Sequence, residues 1–488
     1  MIPDAGFVVE PPARSWSQRI RKSGQILFVF ALLAAVLPFG AVTPVALSVA
    51  FLVTIAAAGL GSFVPPSGRR ARGAYGLALG LAIGMSLYLV FQASSLPGHA
   101  FANPVWSIAR SLIGDVPDAI TVDPAATLAS ILPLAMPFLL YGAALALFPS
   151  DEEAFRLFGV LGAIGTALAL FGFIQVAFLP KSLLFTEKVA YLDSLTSVFV
   201  NRNTAATLFG VSALACLILL LRMVRQVSGR SALSRLLFSP TFSRGRRSRA
   251  ALLLFCIAAC LLALLLTRSR GAALSTAASF LLVLPLLFRE MGAGRSQKRR
   301  QRWLFGAALA LLAVGGVILV FGQQFVLRLE TRGVDTSRLC VYQGTLRAFE
   351  DNWLFGTGFG TFEAVFRGYR PVGCGSAYET FRQAHNVFLE GLLGMGIVFV
   401  PLALIVYGHL ASVLLHGLRT RKRLRFVPIV TLGAVLLVTL HSLVDFSVQI
   451  PGMAAILAAF LGAATTISLG RPSGVRRSRL DRRYTGAD

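Results

Sequence analysis

Long apolar stretches alternate with short polar segments along almost the whole chain. Most of these stretches approach or exceed the roughly 20 residues that an α-helix needs to cross about 30 Å of hydrocarbon. The pattern predicts twelve membrane-spanning helices, at residues 26–43, 45–64, 74–93, 125–148, 157–179, 204–224, 250–267, 272–288, 303–322, 386–415, 426–446 and 452–469. The expected fold class is therefore all-α, a polytopic membrane protein.

Composition agrees with this prediction and argues against a soluble multidomain protein. Of the 488 residues, 56% are hydrophobic and only 14% are charged. We expect a cytoplasmic tail at 1–25, a membrane domain at 26–469 and a basic cytoplasmic tail at 470–488. A large periplasmic loop, 323–385, lies between the ninth and tenth spans. The first apolar stretch has no small-residue cleavage site after it, so it is predicted to be an anchor and not a signal peptide.

The net charge of +25 is distributed unevenly. With the N-terminus inside, the whole excess falls on the two tails and the even-numbered loops, with clusters at residues 14–22, 69–72, 222–249, 289–302, 419–425 and 471–483. An excess of Lys and Arg on one face is the signature of cytoplasmic loops. The charge thus predicts a multi-pass membrane protein with both termini in the cytoplasm, in contact with membrane lipids and without a nucleic-acid partner.

The five cysteines divide between the predicted spans and the large loop. Cys216, Cys256 and Cys260 fall inside spans, where cysteine is usually a packing residue. Cys340 and Cys374 fall in the periplasmic loop, where they can form a disulfide or remain two free thiols. No metal-ligand spacing such as CxxC or HExxH occurs. We expect no metal site and no cofactor.

Two loop motifs permit both a structural and a functional interpretation. Asp123 followed by Pro124 predicts an N-cap with proline at the first helical position. Asp115, Asp118 and Asp123 could alternatively form a metal-binding set of carboxylates, although capping and solvation account for them better. The glycines of GTGFGTF follow no predicted strand, so tight turns explain them better than nucleotide binding.

Topology gathers the remaining polar residues in one layer, at the outer ends of the spans. They are Arg202, Arg268, Arg270, Arg338, Arg347, His385, Asn386, His441, Ser442 and Asp445. Ionisable groups at membrane depth are costly and usually face a cavity or a partner. Their convergence predicts a functional site.

Each member also has a structural interpretation. Arg268 and Arg270 could extend to lipid headgroups, and Arg202, between two asparagines, could belong to a capping cluster. His441 and Asp445 are four residues apart on one predicted helical face, so a hydrogen bond between them is the default expectation.

The residue types indicate one reaction in particular. The planar guanidinium of arginine matches phosphate oxygens, and several arginines suit a diphosphate carried on a lipid. A histidine with a pKa near neutrality suits removal of a proton from an attacking hydroxyl. Together they indicate transfer of a group from a lipid diphosphate to an alcohol.

Five segments resemble the bacterial O-antigen ligase and polymerase family. They are FVNRN, TRSRGA, SRLCVYQGTLRAFEDNWLFGTGFGTF, AHNVFLEGLLGMG and HSLVDFSVQIP, spread between about residues 121 and 460. The specificity lies in their order and topology rather than in any one of them.

The resemblance implies an inner-membrane glycosyltransferase of the C type that takes undecaprenyl-diphosphate-linked glycans and needs neither a nucleotide sugar nor a metal. It implies that His385 is the base or orients the acceptor. We further expect Asn386 to fix the turn or the imidazole and Glu390 to orient the ring, although both could equally be capping or solvation residues. It also implies that Arg270 and Arg338 bind the diphosphate. Arg202 matches the arginine of the family's NRN motif. We group it with the diphosphate-binding residues and expect His441 and Asp445 to support the site. Thr204 departs from the family, in which many members have histidine.

The acceptor and the rival function stay open at this stage. Ligases, polymerases and protein O-oligosaccharyltransferases share these motifs, so the acceptor can be a glycan, lipid A-core or another hydroxyl. The alternative is a twelve-span secondary transporter with six helices on each side of a basic central loop. Against it, the halves show no internal similarity, and the polar residues cluster at the outer surface.

Overall fold

The computed structural model describes residues 16–96, 98, 100–116, 118–227, 236, 243–291, 336–374 and 380–470. Sixteen α-helices occur in these segments, numbered in chain order: α1 Trp16–Val36, α2 Pro44–Ser62, α3 Arg69–Ala93, α4 Val105–Ile113, α5 Pro124–Ala129, α6 Ile131–Leu147, α7 Asp151–Phe178, α8 Arg202–Arg225, α9 Arg244–Leu266, α10 Arg270–Met291, α11 Thr336–Asp351, α12 Phe362–Tyr369, α13 Val387–Met395, α14 Phe399–Thr420, α15 Phe426–Ser442 and α16 Pro451–Leu469. Two short antiparallel strands, β1 Ser182–Leu183 and β2 Thr186–Glu187, form a hairpin after α7.

The all-α polytopic architecture predicted from the sequence is confirmed. Within the described ranges, nine helical segments are long and apolar enough to cross a membrane, and the shorter apolar α15 adds to them. Helices occupy eleven of the twelve predicted spans. The ninth prediction, 303–322, lies outside the described residues.

Several span boundaries differ from the sequence prediction, notably those of the first and tenth spans. The first helix is Trp16–Val36 rather than 26–43, because Pro38 and Gly40 lie in a turn, with Gly40 at φ +76°. The predicted tenth span is divided into α13 and α14 by a short 3₁₀ segment at Gly396–Val398.

Loop residues satisfy the backbone groups freed by the break between α13 and α14. The N–H groups of Thr357 and Gly358 donate to the carbonyl groups of Leu393 and Gly394, at 2.8 and 3.1 Å. These loop residues belong to the GTGFGTF motif, in which Gly356, Gly358 and Gly360 all have positive φ. Tight turns are thus the correct explanation of the motif, and they let the loop dock on α13.

Helix α8 lies at the centre of the bundle and is the most deeply buried of the candidate spans. Small residues let its neighbours approach closely: a Cβ added to Gly165 of α7 would lie 2.1 Å from Oγ of Ser212 on α8. Close approach at small residues is the usual way in which helices associate in membranes. The central position of α8 fixes its N-terminus, where part of the candidate site lies.

The two ends of the bundle differ in charge. Ion pairs such as those of Arg421 with Asp151 and Arg425 with Glu290 occupy one end, which we call the basic end. Segments 180–201, 336–374, 380–386 and 443–450 meet at the opposite end, which we call the loop end.

A small second core lies within the loop end. Cys340 of α11 forms a disulfide with Cys374, with their Cα atoms 5.7 Å apart. Buried residues Val341, Phe366 and Ala384 pack in the same cluster. The disulfide that the sequence left open is therefore present, and it ties α11 to the segment after α12.

Candidate active site

His385 lies in the turn immediately before α13, and its backbone conformation is unusual. Its φ is +54°, a left-handed conformation that non-glycine residues rarely adopt. Neighbouring groups hold the turn: Asn386 caps α13 by accepting from the N–H groups of Phe388 and Leu389, and Glu390 accepts from the N–H of Ala384 at 2.9 Å. Asn386 and Glu390 thus bind the backbone around His385.

The His385 ring faces a buried carboxylate. Its Nδ1 lies 3.9 Å from Oδ1 of Asp445, an ion-pair distance that is too long for a hydrogen bond. The ring also packs edge-on against Phe446, with centroids 4.9 Å apart. The His385 side chain is 30% exposed and that of Asp445 is 1% exposed, so the imidazole lies between a solvent-accessible space and a buried charge.

Asp445 is held by hydrogen bonds from two further elements. Nδ2 of Asn203 on α8 donates to its Oδ1 at 2.7 Å, and the hydroxyl of Ser447 donates to its Oδ2. Burial on its own raises the pKa of the Asp445 carboxyl. The pKa nevertheless lies below its ordinary value, because His385, His441, Ser447 and Asn203 stabilise the charged form. Asp445 is therefore a fixed negative charge beside His385.

His441 does not make the expected bond to Asp445. Its Nδ1 pairs with the hydroxyl of Thr207 on α8 at 2.7 Å. The reason is that α15 ends at Ser442, so His441 and Asp445 do not lie on one continuous helical face. Thr207 and Asn203 are four residues apart on α8, and they hold His441 and Asp445 respectively.

Arg338 and Gly271, the neighbour of Arg270, border the turn that follows α15. Nη1 of Arg338 on α11 donates to the carbonyl of Val444 at 3.0 Å. Arg270 is the first residue of α10, and its neighbour Gly271 packs on the same turn. A Cβ added to Gly271 would lie 3.1 Å from Cδ2 of His441 and 3.2 Å from Cγ2 of Val444. Glycine at this position therefore permits the close approach of α10.

Arg202 contacts a different set of residues. Its guanidinium lies 4.9 Å from the centre of the Tyr191 ring, and its Nη1 donates to the Ser194 hydroxyl at 3.2 Å. The helix cap that the sequence suggested for this segment is formed by Asn201, which caps α8, and not by Arg202. Arg202 thus faces segment 180–201, while the next residue on α8 binds Asp445.

The alternative sites considered from the sequence do not assemble as units. Asp123 caps α5, accepting from the N–H of Ala126, and Asp118 pairs with Arg110. Across the described ranges, no three histidine, cysteine or acidic side chains are grouped in a way that could hold a metal ion. Arg268 pairs with Asp193 at 2.6 Å on the exposed surface of the loop end.

Asn203, Thr207 and Tyr342 belong to this neighbourhood but were not identified from the sequence. Asn203 lies in the FVNRN segment, where the asparagine itself offers a signal. Thr207 and Tyr342 offer none, because a threonine inside a span and a tyrosine in an amphipathic loop helix both have common structural roles.

Comparison with known families agrees with this geometry. Residues 255–400 match the family model described as O-antigen ligase. The matched segment contains Arg270, Arg338 and His385, and it supports glycan transfer or ligation over transport. No curated protein matches the chain. The match over residues 255–400 supports the resemblance of the chain to the O-antigen ligase and polymerase family of multi-pass bacterial membrane proteins.

Proposed function

We propose that the protein transfers a glycan from an undecaprenyl diphosphate to a hydroxyl acceptor at the periplasmic face of the inner membrane. The observation that carries the proposal is the His385–Asp445 pair, 3.9 Å apart, beside the turn that Arg338 contacts and Gly271 packs against. A partly exposed imidazole facing a buried carboxylate suits a general base, and adjacent arginines suit a diphosphate.

In the proposed reaction, His385 accepts a proton while the acceptor displaces the lipid diphosphate. With a proton on Nδ1 directed towards Asp445, Nε2 of His385 accepts the proton of the acceptor hydroxyl. The acceptor oxygen bonds to the anomeric carbon as the bond from that carbon to the diphosphate oxygen breaks. Undecaprenyl diphosphate leaves with the electron pair, and attack from the opposite face inverts the anomeric configuration.

Asp445 and the arginines stabilise the two charges that develop. Asp445 orients the imidazole and compensates the positive charge that forms on it, as the acid of a catalytic triad does. Arg270 and Arg338 compensate the negative charge of the departing diphosphate, where preorganised charge lowers the barrier. Arg202, which contacts Tyr191 and Ser194, is assigned to diphosphate binding as well.

The proposal includes three further properties of the protein. The donor is a lipid-linked diphosphate, so no nucleotide sugar is needed, and the arginines take the charge-neutralising role that a metal would otherwise have. The acceptor is a hydroxyl of a second glycan, of lipid A-core or of another surface molecule. Both termini and the basic end lie in the cytoplasm, and the loop end lies in the periplasm.

The test is transfer from a purified undecaprenyl-diphosphate glycan by inserted His385→Ala protein, with and without a chelator. Loss of a general base lowers the rate by about 10²- to 10⁴-fold. His416→Ala is the matched control, because His416 is near the C-terminus of α14 and contacts Arg70. Full activity of His385→Ala would refute the base assignment. Activity lost on chelation would instead indicate that the reaction requires a metal.

A further inference from the structure

Helix α11 presents two polar side chains to the candidate site from one face. Arg338 and Tyr342 are four residues apart, so they lie one above the other on the helix surface. Arg338 contacts the carbonyl of Val444. Tyr342 Oη lies 3.1 Å from the carbonyl oxygen of His385 and 3.3 Å from that of Leu443.

The two carbonyl groups near Tyr342 belong to separate parts of the chain. His385 precedes α13, whereas Leu443 follows α15 and leads to Asp445. A phenolic hydroxyl has one proton, which two nearby acceptors can share. Tyr342 therefore bridges the two segments whose separation determines the distance between the His385 ring and the Asp445 carboxylate.

The backbone of His385 needs such support. A non-glycine residue held in a left-handed conformation is strained, and the conformation persists only when its surroundings determine it. Glu390 fixes the residue before His385, and Tyr342 fixes the carbonyl of His385 itself. The turn is thus restrained on both sides of the strained residue.

Helix α11 is itself anchored, so it can act as a fixed reference for the turn. Cys340 is joined to Cys374, and Val341 is buried in the second core. Tyr342 follows these two residues directly. A tyrosine on this rigid support restrains the position of its partner more effectively than one on a free loop.

We propose that Tyr342 is a positioning residue for the transfer reaction: it holds the His385 and Leu443 carbonyl groups so that the imidazole faces Asp445. The inference rests on the proposed function. It concerns the catalytic step and not donor binding, because Tyr342 acts through the backbone of the base.

The test compares Tyr342→Phe with Tyr369→Phe. Both substitutions remove one hydroxyl from the same extramembranous region, but the Tyr369 hydroxyl donates to Asp351 at 2.9 Å, away from His385. Loss of one hydrogen bond in the transition state corresponds to a decrease in rate of about 2- to 10-fold. We expect kcat of Tyr342→Phe to fall by that factor with the donor KM unchanged, and Tyr369→Phe to match wild type.

A double-mutant cycle separates positioning from general damage to the fold. In the residual activity of His385→Ala, adding Tyr342→Phe should change nothing, because the base that it positions is already absent. The positioning role would be overturned if Tyr342→Phe lowered kcat by the same factor in the His385→Ala background as in wild type, or if it changed the donor KM. Wild-type activity of Tyr342→Phe beside an impaired His385→Ala would overturn this inference alone. Full activity of His385→Ala would overturn both.

Discussion

Replacement of Asp445 by asparagine tests the electrostatic part of the proposed mechanism with little change in shape. Oδ1 accepts from Asn203, and Oδ2 accepts from Ser447. In Asp445→Asn, the amide oxygen can keep the first bond, and the amide nitrogen can donate to the Ser447 hydroxyl in the second. The substitution therefore removes the charge that faces His385 while it preserves the turn.

The 3.9 Å separation sets the size of the expected effect. Two unit charges at this distance attract by about 4 kcal/mol at an effective dielectric constant of about 20. If half of the positive charge has formed on the His385 ring in the transition state, about 2 kcal/mol is lost. The expected loss in kcat is thus about 30-fold, rising towards 1,000-fold for a fully formed imidazolium.

Single-turnover transfer by the purified, inserted protein measures this loss directly. Asp351→Asn is the matched control, because Asp351 is an exposed acid of the loop end that pairs with Tyr369. An Asp445→Asn protein that inserts normally and keeps at least a third of wild-type kcat would refute the electrostatic argument.

Three further predictions concern the arginines, the disulfide and the topology. Arg338→Ala should lower kcat by about 10²- to 10³-fold, as loss of a charge-stabilising donor does. Arg367→Ala is the control and should leave kcat unchanged, because Arg367 only pairs with Glu363 on the exposed surface of α12. Similar rates for both variants would contradict the assignment of Arg338. Reduction should expose two more labelled thiols, and Cys340→Ser with Cys374→Ser should lower the free energy of unfolding by about 3–4 kcal/mol; an unchanged thiol count would exclude the bond. A periplasmic reporter fused at about residue 350 should be active, and one fused in the basic loop at about residue 235 should be inactive. The reverse result would place the candidate site in the cytoplasm and would overturn every site assignment.

The sequence predicted the membrane helices well because crossing a bilayer imposes a length and an apolar composition on each segment. Asp123 was correctly identified as an N-cap for a similarly local reason: Pro124 follows it directly. The break at Gly396 was not predicted, because its freed backbone groups are satisfied by loop residues near Thr357, distant in sequence. Local patterns carry no information about such partners.

The sequence predicted which residues belong to the candidate site better than it predicted which of them contact one another. His385, Arg338 and Asp445 were all expected at one end of the bundle. The partner of Asp445 was expected to be His441, four residues before it, and that expectation was wrong because α15 ends between them. The approach of His385 depends on tertiary packing between segments about 60 residues apart in the sequence.

The left-handed backbone at His385 has a consequence for the evolution of this position. Glycine or asparagine adopts this conformation at lower cost than histidine, by about 1–2 kcal/mol for glycine. A population screened for folded protein alone would therefore tend to lose the histidine, and each loss would make the molecule more stable while lowering the rate of the proposed transfer. Selection for durability and selection for activity favour different residues at this one position.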